Sequence, residues 1–107
     1  MMRLPEITAE ELRRALEAGS GPFLLDVREP YEAAAATLGG RLIPLRDLPR
    51  RASELDPSRE IVVYCHSGLR SARAVEFLIQ SGFPRVCNLA GGIVAWVERV
   101  GELPVKD

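Results

Sequence analysis

What most restricts the fold of this chain is a regular beat of short apolar runs set between stretches of helix-forming sequence. The runs are "FLLDV" (23–27), "RLIPL" (41–45), "EIVVYC" (60–65) and "RVCNL" (85–89). Each is too short for a helix, and "EIVVYC" carries the β-branched and aromatic residues that strands favour. They read as continuous apolar runs, the pattern of strands buried on both faces. "FLLDV" is broken by a single aspartate, as in a buried strand whose end becomes polar.

Helices fill the intervals. "TAEE" (8–11) is a capping box, with Thr8 as N-cap and Glu11 at the third helical position, and Leu12, Ala15 and Leu16 then share one face. Gly19, Ser20, Gly21 and Pro22 end that segment. "EPYEAAAA" (29–36) has a proline near its start and strong helix formers after it. "LPRRASEL" (48–55) is a short helix closed by Asp56-Pro57. A longer helix is expected from Arg70 to Ser81, with Ala74, Val75, Leu78 and Ile79 on one face and Gly82 as its stop. The last, "GIVAWVERV" (92–100), ends at Gly101. Strands alternating with helices argue for an α/β fold built on a parallel sheet covered on both sides.

A length of 107 residues suits one domain over 1–107, large enough to bury roughly two thirds of its unfolded surface. A hydrophobic fraction of 47% beside 27% charged residues excludes the disordered class. Fourteen basic and fifteen acidic side chains leave a net charge of −1. That balance points to no nucleic acid and no anionic membrane as partner, so any anion must bind at a local site. The chain's start lacks the apolar centre of a signal peptide, and no apolar run approaches the roughly 18 residues that span a bilayer. A cytoplasmic, reduced protein is expected. The two cysteines, 65 and 87, form no CxxC pair or disulfide framework. With a single histidine they make a poor metal site, and neither metal nor organic cofactor is expected.

The stretch "VVYCHSGLRSAR" (62–73) places a thiol where the strongest strand ends. Ligands of parallel sheets gather at the carboxyl ends of strands. The loop His66-Ser67-Gly68-Leu69-Arg70, with Ser71 opening the helix, can turn backbone N–H groups inward around Cys65. Gly68 lets the backbone curl, and the free N–H groups of the first helical turn favour negative charge. The thiol pKa should then fall below its free value of about 8.5. A plainer reading makes Cys65 the small hydrophobe that ends a core strand, and Arg70 and Arg73 an exposed helix face. The strand–Cys–Gly–Arg–helix context favours the nucleophile. His66, as a sequence neighbour, is badly placed to act as its base.

Asp26, the polar end of its strand, is expected to meet the Cys65 loop through N–H or Arg contacts; a solvated strand end is the alternative. Arg28 is open between pairing with an acidic neighbour and attracting an anionic donor. Cys87 reads as a mid-strand hydrophobe, Gly91-Gly92 as a tight strand-to-helix turn and Trp96 as core.

Together, "LLDVREPYE", "VVYCHSGLRSARAVEFL" and "NLAGGIVAW" resemble the single-domain rhodaneses, a family of sulfurtransferases. The resemblance implies a three-layer α/β fold with a mainly parallel five-stranded sheet flanked by helices. It also implies that Cys65 carries sulfur as a persulfide. Donors would be thiosulfate or a persulfide, and acceptors a thiol, cyanide or a protein. Asp26 and Arg28 match the family's Asp-x-Arg, while Gly91, Gly92 and Trp96 match its Gly-Gly-x-x-x-Trp. Where many members have a Gly-His-Ile-Pro-Gly-Ala-like stretch, this chain has "AATLGG" (35–40), with Ala36 and Leu38 at the His and Pro places. Some thiosulfate-active members carry a basic residue two places after the cysteine; here it is Ser67. The resemblance therefore implies persulfide chemistry without fixing thiosulfate as donor.

Two other readings attach to the same family resemblance. Related phosphatases and arsenate reductases use a longer loop, Cys-x-x-x-x-x-Arg, whereas Arg70 follows Cys65 after only four intervening residues. Non-enzymatic rhodanese-type domains act in binding or sulfur delivery, and often lack the cysteine kept here.

Overall fold

Ile61, Val62, Val63 and Tyr64 are all at most 1% exposed, as a strand must be when helices cover both of its faces. Successive side chains of a strand point to opposite sides, and this run divides accordingly between two cores. Ile61, Val63 and Cys65 join one cluster with Leu48, Ala74, Val75 and Leu78. Val62 and Tyr64 join the other with Ala9, Leu12, Ile93 and Trp96.

The computed structural model describes residues 3–19 and 21–103. In chain order the elements are β1 (Glu6–Ile7), α1 (Ala9–Glu17), β2 (Phe23–Asp26), α2 (Pro30–Ala35), β3 (Arg41–Leu42), α3 (Leu48–Arg51), β4 (Ile61–Tyr64), α4 (Leu69–Gln80), β5 (Val86–Leu89) and α5 (Gly92–Arg99). The sheet has five strands in the order β1-β5-β4-β2-β3, and every pairing is parallel. Helices α3 and α4 pack on one face, α1 and α5 on the other. The three-layer α/β fold is therefore present. α2 buries no residue and lies at the carboxyl end of the sheet, beside the loop that follows β4.

Local rules account for most boundaries. Thr8 Oγ1 accepts from the Glu11 N–H at 3.1 Å, while Glu11 Oε1 accepts from the Thr8 N–H at 2.9 Å, completing the expected capping box. Ser20, one of the residues expected to end α1, lies outside the described residues. Helix α4 starts at Leu69, ahead of the expected Arg70, so Ser71 sits within its first turn. Ile79 departs from expectation: it is 39% exposed, because at 100° per residue it falls at the edge of the buried stripe formed by Ser71, Ala74, Val75 and Leu78.

Strand β1 was not among the expected strands. Its two residues pair with Asn88 and Leu89 at the sheet edge. The "AATLGG" stretch is pinned from the sheet: the Tyr64 hydroxyl donates to the Gly39 carbonyl at 2.8 Å and accepts the Leu38 N–H at 3.2 Å.

Candidate active site

Cys65 is the first residue after β4, and the chain turns there into α4 through Gly68, whose φ of 105° is closed to most L side chains. That turn brings the loop back over the thiol. The Gly68 N–H lies 3.1 Å from Sγ and the Ser71 N–H 3.3 Å from it. Ser71 Oγ is a further 3.3 Å contact. The expected cradle is thus formed by the backbone of the loop and the first turn of α4, with Cys65 itself 1% exposed.

Two opposing effects act on the thiol. Burial pushes its pKa up, while the N–H groups of Ser71, Gly68 and Arg70 stabilise the anion, and the Ser71 hydroxyl would add to them if its proton faced the sulfur. The donors together outweigh burial, and Cys65 ends below the ordinary cysteine value. Among the other loop residues, His66, Ser67 and Leu69 turn their side chains to solvent. The N–H donors at Sγ come instead from Gly68, Arg70 and Ser71.

The loop is held from below by α5. The N–H groups of Ile93 and Val94, in its first turn, donate to the carbonyls of Cys65 (2.9 Å) and His66 (3.1 Å). This close approach requires Gly92, since a Cβ there would stand 2.4 Å from the His66 oxygen and 2.6 Å from the Cys65 oxygen. Gly91 and Gly92 both have positive φ, forming the tight turn read from the sequence, and Trp96 is core at 3% exposure.

Asp26 does not meet the Cys65 loop, which corrects the expectation for that residue. Its carboxylate is taken up by Arg28: Oδ1 accepts from the Arg28 N–H (3.0 Å) and Nε (2.9 Å), and Oδ2 from Nη2 (2.8 Å). A carboxylate two residues before an arginine reaches it more readily than a loop on the next strand. Arg28 is only 2% exposed and donates onward to the Ala36 carbonyl at 2.8 Å. Of its two open roles, the structure supplies the acidic partner. The pair anchors α2.

Arg70 likewise has a carboxylate partner of its own. Its guanidinium makes a bidentate bond to Glu32 of α2, at 2.7 and 2.8 Å. Hydrogen bonding to Arg70 holds the Glu32 carboxyl down to about 2, and the same bond raises Arg70. The supporting chain therefore runs from Asp26 to Arg28, through α2 and Glu32, to Arg70 in the loop. Sequence reasoning missed Glu32, whose only local mark is its place in a helix-forming run.

Asn88 was missed as well. It is 4% exposed and close to the thiol: the Ser71 hydroxyl donates to its Oδ1 at 2.5 Å, and its Nδ2 donates to the Gly68 carbonyl at 3.2 Å. A buried polar residue inside an apolar run was its one available signal.

Comparison with known proteins agrees with this geometry. A sulfurtransferase of Allochromatium vinosum is 41% identical over 92 residues, covering 85% of this chain and 86% of that protein. A putative sulfur carrier protein of Bacillus subtilis is 36% identical over 94 residues, which are 87% of this chain and 51% of that protein. The crystal structure of a rhodanese-related protein from Thermoplasma volcanium superposes with a TM-score of 0.84 at 32% identity, covering 95% of this chain and 99% of that one. With a match to the rhodanese-like domain across residues 8–99, the chain belongs to the rhodanese-like family.

Proposed function

We propose that this protein is a sulfurtransferase that carries sulfane sulfur on Cys65. The observation that supports it most is the set of N–H donors from Gly68 and Ser71 at 3.1 and 3.3 Å around a thiol at the end of a central strand. The Cys65 thiolate attacks the outer sulfur of a persulfide or thiosulfate donor. A sulfur–sulfur bond forms to Sγ, and the donor's own bond to that sulfur breaks, its electron pair leaving on a thiolate or sulfite. A thiol, cyanide or protein acceptor then attacks the outer sulfur and releases the Cys65 thiolate. The fixed N–H groups favour the anionic form of both thiolate and persulfide without reorganising during transfer.

Arg70 separates this reading from phosphate or arsenate chemistry. An oxyanion site needs an arginine that clamps several charged oxygens. Here the guanidinium is occupied by the Glu32 carboxylate, and "CHSGLR" is one residue shorter than the loop of those enzymes. Intact mass spectrometry after exposure to thiosulfate and to a low-molecular-weight persulfide tests the proposal. One added sulfur atom, removed by cyanide or a thiol and absent in Cys65→Ser, is the expected result. Hydrolysis of an aryl phosphate through Cys65, with no sulfur loading from either donor, would overturn it.

A further inference from the structure

The thiol and three buried residues around it form a closed ring. Gly68 N–H donates to Cys65 Sγ (3.1 Å), Sγ contacts Ser71 Oγ (3.3 Å), Ser71 Oγ donates to Asn88 Oδ1 (2.5 Å), and Asn88 Nδ2 donates to the Gly68 carbonyl (3.2 Å). Ser71 is wholly buried, and Asn88 nearly so, at 4% exposure. The direction of the ring follows from its fixed ends. A carbonyl oxygen only accepts, so the amide must turn Nδ2 toward Gly68 and Oδ1 toward Ser71. Oδ1 also only accepts, so the hydroxyl proton of Ser71 belongs on that side.

A hydroxyl has one proton. With it on Asn88, Ser71 presents a lone pair to Sγ and accepts the S–H of the neutral thiol. Donating instead to a thiolate would strip Oδ1 of its partner in a site closed to water, and such an orphaned acceptor is costly. We propose that Asn88 is a positioning residue for Cys65: it holds the Ser71 proton, so that Ser71 steadies the resting thiol and leaves the anion to the backbone donors. This deepens the sulfurtransferase reading and rests on Cys65 being its nucleophile.

The charged and titratable groups at this end of the sheet are otherwise accounted for. Arg70 of α4 is held by Glu32 of α2, and Arg28 by Asp26 after β2. Tyr31 of α2 and His66 of the loop are exposed, and Tyr64 faces the opposite core. Among the described residues, none of these hydrogen-bonds Ser71 or Asn88.

The test is the pH dependence of Cys65 alkylation by iodoacetamide in full-length protein carrying Cys87→Ala. Asn88→Leu frees the Ser71 proton and should lower the apparent thiol pKa by about one unit, a tenfold gain in thiolate at pH values well below it. In a Ser71→Ala background the same change should have no such effect, because no hydroxyl remains to be freed. Ser71→Ala alone should leave the pKa where it is or lower it. A fall with Asn88→Leu that persists in Ser71→Ala overturns the proposal, as does an unchanged or raised pKa in folded Asn88→Leu. Should Asn88→Leu fail to fold, Ser71→Ala decides: a rise of about one unit would show that Ser71 already donates to the thiolate. Alkylation needs no sulfur donor, so failure of sulfur loading would overturn the sulfurtransferase reading while leaving this result standing.

Discussion

Cys65, just past the end of β4, and Cys87, inside the adjacent β5, have surroundings that drive them in opposite directions. Cys65 is the more deeply enclosed, at 1% exposure, yet its pKa lies below the ordinary value. Cys87 is only partly buried, yet burial, with Glu60 and Glu11 adding to it, pushes its thiol up to about 11. Depth of burial therefore does not decide whether a cysteine ionises. The supply of donors does. Cys87 lies inside β5, opposite Val62 of β4, where backbone N–H groups are consumed by the ladders on either side. Cys65 stands one residue past β4, where the ladder has ended and the first turn of a helix leaves its N–H groups free.

The strongest way to break this comparison is Cys65→Ser. It should remove all sulfur loading seen by intact mass, while Cys87→Ala loads fully. Loading that survived at position 87 would mean that the free N–H groups are not what qualifies a thiol for this chemistry.

Alkylation of each thiol in the absence of the other sharpens the contrast. Cys65 should titrate below the ordinary cysteine value and Cys87 near 11, so at pH 8 Cys65 should react about tenfold faster or more. The signs carry into folding stability. A lowered pKa contributes stability that is present above the unfolded value and lost as pH falls through the folded one. A raised pKa does the reverse, so the Cys87 contribution is present below about 9 and lost as pH rises toward 11. Denaturant titrations of Cys87→Ala should show a shallower alkaline loss of stability than the parent chain.

Gly92→Ala tests whether the loop must sit where α5 holds it. The added Cβ would stand 2.4 Å from the His66 oxygen, on backbone that cannot yield without moving the loop. A loss of about 1–3 kcal/mol by denaturant titration is expected, with sulfur loading reduced in the molecules that remain folded. Normal loading would mean that the cradle tolerates displacement.

Glu32→Gln acts at one remove, through Arg70. Because the Glu32 carboxyl is held down to about 2 against an ordinary 4.5, its contribution is present above 4.5 and lost as pH falls toward 2. The variant should flatten the acid limb of the stability profile across that window and slow sulfur loading only modestly. The smallest effect belongs to Cys87→Ala at neutral pH: a packing loss of about 1 kcal/mol or less, with turnover retained.

The sequence by itself determined the parts of this protein that depend on near neighbours. Four of the five strands, the Thr8–Glu11 capping box, the Gly91-Gly92 turn and the position of Cys65 at a strand end all follow from short-range pattern. Those features are set within a few residues, by side-chain period, by cap chemistry or by φ. Strand β1 has no such signature, because two residues cannot show a period and Glu6–Ile7 is extended only by virtue of the β5 edge it meets. For the same reason Asp26 was placed wrongly: its residue type was legible, but the competition between a near arginine and a more distant loop is settled only when both are in place.

What only the tertiary structure decided is which polar groups share the thiol's enclosure. Ser71 and Asn88 lie 17 positions apart, and Arg70 and Glu32 38 apart, and each pair meets because the parallel sheet gathers loops from several strands at its carboxyl end. A hydrogen bond is a matter of tenths of an ångström, and no spacing along a chain encodes it across two crossover connections. The residues of the cysteine loop were visible in order. Which of them donates to the sulfur, which clamps the loop and which holds another's proton was fixed by packing alone.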